Sequence, residues 1–348
     1  MPRERIQGER EVRAVQHAVT VFGAYGHTGR FVAAELRRRG WSVILSGRDA
    51  EKLAGLHAAH PGLEVRAATV NDPASLDRAL AGAAAVINCA GPFLDTATPV
   101  IEAALRAGIH YLDVTAEQQA VLDTFARHGD AAKRAEVVVL PSMAFYGGLA
   151  DLLVTAALDG RADADTVDIA VALDGWHPTA GTRRTGRRNH YPRLNVTAGR
   201  LAQLADPPAT RDWTFPAPFG SQAVVALPLA ETITVSRHLR VRELRSWMNL
   251  APLADLRDPD TPPPTAADAQ GRSSQQFVMQ AMIDDGRETR RVAVLGRDIY
   301  ATTAPRAVEA VDRILAGGHK TIGVTTAGAA FDAGDFLAAL TPDHLRLD

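Results

Sequence analysis

The feature that most constrains the fold of this chain is a glycine-rich turn near its beginning. It follows the apolar run Ala18 to Phe22, which has the length of a buried strand, and it contains three evenly spaced glycines: Gly23, Gly26 and Gly29. An amphipathic helical pattern comes next, and Val43 to Leu45 predicts a second buried strand. A strand, a glycine turn, a helix and a parallel strand form the βαβ unit that binds dinucleotides.

The glycines have a physical purpose in such a turn. A Cβ would hold the ligand away, whereas a bare backbone lets N–H groups approach a pyrophosphate, which the N-terminus of the following helix also attracts. The spacing is G-x-x-G-x-x-G, not the commoner G-x-G-x-x-G, so a tight turn without a ligand is the alternative. We expect the residues between the glycines to contact the cofactor too: Tyr25, His27 and Thr28.

The end of the second strand predicts which dinucleotide binds. NAD enzymes usually carry an acid there, which holds the ribose 2′-hydroxyl. This chain has Ser46 and Arg48, and a guanidinium suits the 2′-phosphate of NADP. We therefore expect NADP, with Asp49 as the N-cap of the next helix. The alternatives are a solvated Arg48 and an Asp49 that reaches the ribose.

Strand and helix patterns alternate as far as Leu140, which predicts an α/β fold with a Rossmann-like, doubly wound parallel sheet. Ligands of such sheets bind beyond the carboxyl ends of the strands. Asn71 follows the third strand, where it either meets the adenine or caps a helix. The fourth strand, Ala84 to Cys89, runs into a turn that we expect to contact the cofactor: Asn88, Ala90, Gly91, Pro92 and Phe93.

From Thr166 onward the pattern predicts a second, α+β domain on a largely antiparallel sheet. Its clearest signal is a hairpin around Asp285-Gly286, with Phe277, Met279, Ala281 and Ile283 on one face. The other predicted pieces are strands at Val167 to Leu173, Ala223 to Leu227 and Glu231 to Val235, a surface loop at Ala251 to Ser274, and helices at Pro99 to Ala107, Pro305 to Leu315 and Ala329 to Leu340.

Several segments resemble the saccharopine dehydrogenase-like oxidoreductases, a family that includes the trans-acting enoyl reductases. They are GAYGHTGR (23–30), SGRDAEKL (46–53), VINCAGPF (86–93), AGIHYLDVTAE (107–117), GRDIYATTA (296–304) and GVTTAGAAF (323–331). The resemblance implies an NADP-binding domain at 1–145, to which 303–348 return, and a substrate and dimerisation domain at 146–302. The sequence departs from the family pattern at Ala144 to Leu149, where relatives commonly carry a Gly-Phe-Asp turn.

The resemblance also implies an activity. We expect a reductase that transfers hydride from NADPH to a C=C, C=N or C=O group of a small, carrier-linked or coenzyme A-linked substrate. The alternative is a sensor or regulatory protein that binds NADP(H) without turnover, and the altered turn at Ala144 to Leu149 gives it weight.

Candidate proton donors lie where the two predicted domains meet. Tyr146 follows the sixth strand and is the first choice, with an aromatic packed under the turn as the alternative. His177 is a second candidate, or else a solvated loop histidine. Tyr111 and Asp113 are candidate substrate residues, or else Asp113 makes a structural hydrogen bond to the next turn.

A basic run after Thr182 contains Arg183, Arg184, Arg187, Arg188 and Arg193. Arginines there are suited to a substrate carboxylate or to the phosphates of a carrier-bound acyl group, and Arg183 and Arg184 are the candidates. A solvated loop and a dimer contact are the alternatives.

Composition excludes several classes of partner. The net charge of -2 argues against a nucleic-acid partner, and the one cysteine, Cys89, is expected to be a buried thiol. No metal-ligand spacing stands out, and the charged first residues lead us to expect no signal peptide. The longest apolar stretch, Val137 to Leu158, is broken by Pro141 and two glycines, so we expect no membrane span. We expect a cytoplasmic protein, with a homodimer among the expected assemblies by analogy with other two-domain proteins.

Overall fold

The computed structural model describes residues 18–59 and 61–348. The charged sequence of residues 1–17 predicts a loose lead-in, and this segment lies outside the described residues. A seven-stranded sheet forms the core of the first half of the chain. Its strands are β1 (Ala18–Phe22), β2 (Ser42–Gly47), β3 (Glu64–Ala67), β4 (Ala83–Asn88), β5 (His110–Asp113), β6 (Val138–Leu140) and, from much later in the chain, β15 (Gly323–Val324). They lie in the order β15-β6-β5-β4-β1-β2-β3 and every pair is parallel, which confirms the doubly wound fold.

Five helices connect these strands, and apolar side chains pack on both faces of the sheet. They are α1 (His27–Arg38), α2 (Ala50–Ala59), α3 (Pro73–Leu80), α4 (Phe93–Ala107) and α5 (Gln118–Arg134). The predicted start of α4 at Pro99 is wrong by six residues. Helix α4 begins at Phe93 because the Glu117 carboxylate accepts hydrogen bonds from the first two N–H groups, of Phe93 at 2.7 Å and Leu94 at 3.3 Å. This tertiary cap replaces a local capping signal.

The second half forms a mixed sheet in which β12 runs parallel to β7 and the other pairs are antiparallel. Its strands are β7 (Asp163–Leu173), β8 (Leu194–Thr197), β9 (Arg200–Gln203), β10 (Thr210–Thr214), β11 (Ser221–Ala226), β12 (Arg240–Asn249), β13 (Gln276–Asp284), β14 (Thr289–Arg297) and β16 (Leu345–Leu347). The hairpin around Asp285-Gly286 is confirmed, with Asp284 paired to Thr289, and the predicted apolar face of β13 lies in the main core.

Several local predictions in the second half are wrong. Glu231 to Val235 is not a strand but the buried helix α8 (Ala230–Ser236), because burial on every side outweighs the β propensity of its Ile, Val and Thr residues. The predicted loop at 251–274 begins with helix α9 (Ala251–Arg257), and the basic run forms helix α7 (Ala180–Arg188), which the Thr179 side chain caps.

The junction between the two sheets is a single turn of π-helix, Phe145–Leu149, which continues directly into α6 (Ala150–Leu158). The apolar stretch Val137 to Leu158 is therefore a strand, a turn and a helix. No helix within 18–59 and 61–348 is long and apolar enough to cross a membrane.

The C-terminal segment returns to the parallel sheet in part. Helix α10 (Thr303–Leu315) packs on α1, and β15 extends the sheet beside β6. The single helix predicted for Ala329 to Leu340 is wrong, because it is divided into α11 (Ala327–Ala330) and α12 (Ala333–Ala339) by the capping residue Asp332. Strand β16 joins β14 in the second sheet, so residues 303–348 contact both sheets.

Arg39, directly after α1, joins the nucleotide-binding half to this returning segment. Its guanidinium donates to Glu35 of α1 at 2.7 Å and to Glu309 and Asp312 of α10 at 2.6 and 2.9 Å. The Arg39 side chain is only 15% exposed, so the charge is neutralised in a partly desolvated contact. Trp41 Nε1 adds a 2.6 Å hydrogen bond to Asp312.

We predict that Arg39→Ala lowers the free energy of unfolding by about 2–3 kcal/mol, because three carboxylates lose their shared partner. Urea denaturation followed by circular dichroism measures the change. Arg38→Ala is the matched control, because Arg38 binds the same Glu35 but its side chain is 62% exposed, and we expect a loss below about 1 kcal/mol. Equal losses for the two variants would show that Arg39 does not join α1 to α10.

Candidate functional site

The glycine turn lies between the carboxyl ends of β1 and β4, where the strand order of the sheet reverses. Gly23 has a φ of 84°, and its N–H donates to the Ser46 carbonyl at 2.8 Å. A Cβ on Gly23 would lie 2.9 Å from the backbone nitrogen of Ala90, and one on Gly29 would overlap the Gly23 carbonyl. Glycine at both positions therefore allows the turn, α1 and the loop after β4 to approach one another closely.

The N-terminus of α1 suits a phosphate group. Gly26 is its N-cap residue, no side chain caps it, and its first turn contains no acid. The first N–H groups of a helix have no partner within the helix, and the helix dipole adds partial positive charge. Thr28 lies in this first turn and lines the adjoining cleft. The residues present thus fit the diphosphate of a dinucleotide.

The side chains beyond β2 favour a 2′-phosphate. Arg48 is exposed and makes no hydrogen bond or ion pair with another described residue. Asp49 accepts a hydrogen bond from the Lys52 N–H at 3.1 Å and pairs with the Lys52 ammonium at 2.9 Å, so it is the N-cap of α2. Tyr25 lies beside them, where its hydroxyl accepts from the Asp49 N–H at 3.3 Å and the ammonium of Lys52 is 5.6 Å from its ring.

Three other residues predicted to contact the cofactor differ in their exposure: Ser46, Asn71 and His27. Ser46 is fully buried, and its backbone carbonyl supports the glycine turn. Asn71 is exposed just beyond β3. His27 packs its ring against Phe31 and Tyr300, at 5.3 and 5.4 Å between centroids, and burial lowers its pKa.

The prediction that Asn88 contacts the cofactor is not supported, because this side chain is fully buried beneath the turn that it holds. Its amide nitrogen donates to Thr96 and Tyr111 at 3.3 and 3.2 Å, and its oxygen accepts from the Ala90 N–H at 3.0 Å. Asn88 therefore fixes the loop Ala90 to Phe93, whose residues Gly91 and Phe93 line the cleft.

Tyr111 and Asp113, the candidate substrate residues, belong to the same buried network and do not line the cleft. The Tyr111 hydroxyl donates to Asp113 at 2.9 Å, and Asp113 also accepts from the N–H groups of Ser142 and Thr115 at 2.7 and 3.0 Å. Burial raises the pKa of Asp113 to about 6, against the effect of these hydrogen bonds. The structure therefore supports the alternative interpretation, in which Asp113 makes a structural hydrogen bond to the next turn.

A cleft of about 660 Å³ extends from the glycine turn to the second sheet. The first half of the chain contributes Thr28, Cys89 and Gly91, and the second contributes Trp176, Tyr300 and one side of α7. Cys89 is half-buried at the cleft, not fully buried as expected, and desolvation raises the pKa of its thiol above the usual range, so the thiol stays protonated.

Tyr146, the first-choice proton donor, lines this cleft from the π-helical turn. A Cβ on Gly147 would overlap the Ser142 hydroxyl, so glycine allows the tight turn that directs Tyr146 toward the cleft. The Tyr146 hydroxyl is buried and has no hydrogen-bond partner among the described residues. Burial raises the pKa of this phenol well above its usual value, so it is a neutral O–H group, able to donate.

Helix α7 separates the predicted substrate arginines. Arg183 lines the cleft, but its guanidinium donates to the carbonyls of Asp258 and Thr261 at 3.0 and 2.8 Å. Arg184 is exposed and does not line the cleft, so its predicted role is not supported. Arg187 is exposed and lines the cleft, and its side chain makes no hydrogen bond or ion pair with the rest of the described chain. The helical period brings Arg183 and Arg187, four residues apart, to the cleft and turns Arg184 and Arg188 away from it.

The prediction for His177 is not supported either, because it is exposed, contacts the Pro262 carbonyl at 3.2 Å and lies outside the cleft.

Among the cleft residues that sequence reasoning missed are Glu117 and Tyr300, although both lie in the motifs that carried the family resemblance. The Tyr300 hydroxyl accepts from Trp176 Nε1 at 2.9 Å and bonds Thr182 at 2.9 Å. Burial raises the pKa of Glu117 to about 7. No group of three His, Cys, Asp or Glu side chains in the described segments could hold a metal.

The fold and the site define a class: a two-domain protein that binds a dinucleotide at the switch point of a parallel sheet and faces it with a second sheet, as NADP-dependent oxidoreductases do. Residues 19–140 match the family model described as the saccharopine dehydrogenase NADP binding domain. This part of the chain is therefore an NADP-binding domain of the saccharopine dehydrogenase family, which confirms the resemblance and the cofactor inferred from the sequence.

Two curated relatives and one solved structure extend this finding. Saccharopine dehydrogenase-like oxidoreductases of Bos taurus and Homo sapiens are 30% and 31% identical, over 38% of this chain and 35% of their own lengths. The match thus spans about a third of these relatives. The apo saccharopine dehydrogenase (L-Glu forming) of Saccharomyces cerevisiae superposes with a TM-score of 0.67 at 13% identity, covering 95% of this chain and 99% of that one. It shows the fold of both halves.

We predict that Arg48→Ala weakens NADPH binding about tenfold or more while NADH binding changes less than about twofold, because a charge-assisted contact is worth at least about 1.4 kcal/mol. Titration of cofactor fluorescence measures both affinities. NADH serves as the internal control, since it lacks the 2′-phosphate. Equal losses for the two cofactors would remove Arg48 from the 2′-phosphate site.

We also predict that Gly26→Val abolishes measurable NADPH binding while the fold persists. A Cβ at Gly26 already lies 3.0 Å from the Gly23 carbonyl, and the added methyl groups would occupy the space that the diphosphate needs. Calorimetry measures binding, and circular dichroism measures the fold. Thr28→Val is the control, because it removes one hydroxyl without filling the turn and should cost about tenfold at most. Unchanged affinity in Gly26→Val would place the phosphates elsewhere.

Proposed function

We propose that this chain is an NADPH-dependent reductase that acts on a C=C, C=N or C=O group of a small or carrier-linked substrate. The observation that carries the proposal is the cleft itself. It joins the glycine turn to an unpartnered, buried phenol and an unpaired arginine. Bound NADPH supplies the hydride, so the protein must orient the acceptor and provide a proton.

Tyr146 is the proposed proton donor. Its neutral phenol has no hydrogen-bond partner within the described part of the chain, so its proton would be available to the oxygen, nitrogen or α-carbon of an acceptor that reaches it. Trp176 and Phe145 pack around the ring, with centroids 6.2 and 4.9 Å away, and hold it toward the cleft.

Arg187 is the proposed anchor for an anionic group on the substrate. It lies on α7, which packs against the turn at Gly91 through Thr185 and is tied to α4 by the 2.9 Å ion pair of Arg188 with Asp95. A carboxylate or carrier phosphate that pairs with Arg187 would leave the reducible bond deeper in the cleft, near Tyr146. The domain limits, the cytoplasmic location and the homodimer stay predictions from the sequence.

NADPH oxidation, followed by its absorbance with a panel of imines, enones and acyl thioesters, tests the proposal. Turnover of any class supports a reductase, whereas tight binding without turnover across the panel favours the sensor. With the substrate so found, Tyr146→Phe should lower kcat about 100-fold, which is the usual contribution of a positioned acid. A wild-type rate would remove Tyr146 from the chemistry.

We further predict that Arg187→Ala raises KM for an anionic substrate about tenfold, with kcat within about twofold, because the guanidinium binds a group remote from the reacting bond. Steady-state kinetics measures both constants. Arg184→Ala is the matched control, since it removes an arginine from the same helix but outside the cleft, and it should leave KM unchanged. A similar rise in both variants would indicate general electrostatic attraction instead of a contact.

A further inference from the structure

A small cavity separate from the cleft adjoins Tyr146. Tyr146, Glu231 and Ser246 line it together with apolar side chains that include Ala150 and Met248. Its volume is about 10 Å³, which is at the lower limit for holding one water molecule. Tyr146 lines both this cavity and the cleft, so the phenol separates them.

Three buried polar atoms on the walls of this cavity have no hydrogen-bond partner in the described structure. They are the Tyr146 hydroxyl, Oε2 of Glu231 and Oγ of Ser246, and the Ser246 hydroxyl lies close enough to the Glu231 carboxyl group to oppose the rise in its pKa. Buried polar groups are nearly always paired, and an unpaired one costs about 1–3 kcal/mol. A single water in the cavity would have two to three partners, the number that buried waters usually have.

Glu231 is held in place independently of that water. Its Oε1 accepts from the Leu229 N–H at 2.8 Å, and the residue is 2% exposed within α8. Two titratable groups face it from neighbouring elements, Tyr146 from the π-helical turn and Arg193 from the segment before β8. Arg193 donates to the Pro228 carbonyl at 3.1 Å and also lines the cleft.

We propose that Glu231 is the proton reservoir for Tyr146, connected to it by one water that Ser246 helps to hold. The inference rests on the proposed reductase function. The Tyr146 O–H bond breaks as the acceptor atom gains its proton. The water then gives a proton to the phenolate oxygen and takes one from the Glu231 carboxyl group. Solvent restores the proton to Glu231 after the product leaves, so each turnover consumes one solvent proton.

The direction of this transfer is favourable. A phenolate is a much stronger base than a carboxylate, so a proton passes downhill from the Glu231 carboxyl group to Tyr146. Burial raises the pKa of Glu231, so the protonated form is present at higher pH than for an exposed glutamate. Activity should therefore be full below that raised pKa and should fall as the pH rises through it.

The kinetic test compares Glu231→Gln with the wild type. The amide keeps the size of the side chain but cannot release a proton, so kcat should fall about tenfold or more and its decline at high pH should disappear, with KM within about twofold. Glu243→Gln, on β12 and away from the cavity, is the control and should match the wild type. A wild-type kcat and pH profile in a folded Glu231→Gln protein would overturn the proposal.

A measurement without turnover separates this inference from the proposed function. If the wild type oxidises no NADPH with any substrate, the reductase function fails, but the cavity can still be examined by a high-resolution crystal structure. Density for a water within hydrogen-bond distance of Tyr146, Glu231 and Ser246, lost in Glu231→Leu, supports the connection. A dry cavity overturns it, whether or not the protein is a reductase.

Discussion

The close approach of two loops at the switch point of the parallel sheet is the constraint on which the site depends. The turn after β1 and the loop after β4 touch at Gly23 and Ala90, with no room for a Cβ between them. This contact places the uncapped N-terminus of α1 beside the mouth of the cleft. A dinucleotide can therefore meet backbone N–H groups at one end and the second sheet at the other.

A buried hydrogen-bond network supports the carboxyl edge of the same sheet. Asn88, Tyr111 and Asp113 connect the ends of β4 and β5, and Asp113 extends the network to Ser142 before the π-helical turn. Fully satisfied polar networks of this kind hold one arrangement of loops, because any alternative would leave a buried group unpaired. The network thus positions Tyr146 and the turn at Gly91 without itself touching the cleft.

Two helices from the second half of the chain pack against the first half. Helix α7 meets the turn at Gly91 and pairs with Asp95, and α10 joins α1 through Arg39. Because residues from both halves line one cavity, a cofactor held by the first sheet faces side chains held by the second. Tyr146 lies in the π-helical turn at the junction of the two sheets.

The sequence by itself determined the alternating βαβ order, the glycine turn, the preference for NADP at Arg48 and the hairpin at Asp285-Gly286, because each depends on a local pattern or on strand period. Tertiary structure decided what depends on neighbours far away in the chain. Glu117 starts α4 six residues before the predicted helix, and burial makes a helix of Glu231 to Val235. Packing also decided which polar side chains face the cleft, because a sequence records residue types but not the direction in which the fold turns each side chain. Tyr146 and Arg187 line the cleft. Four other candidates do not line it: Tyr111, Asp113, His177 and Arg184.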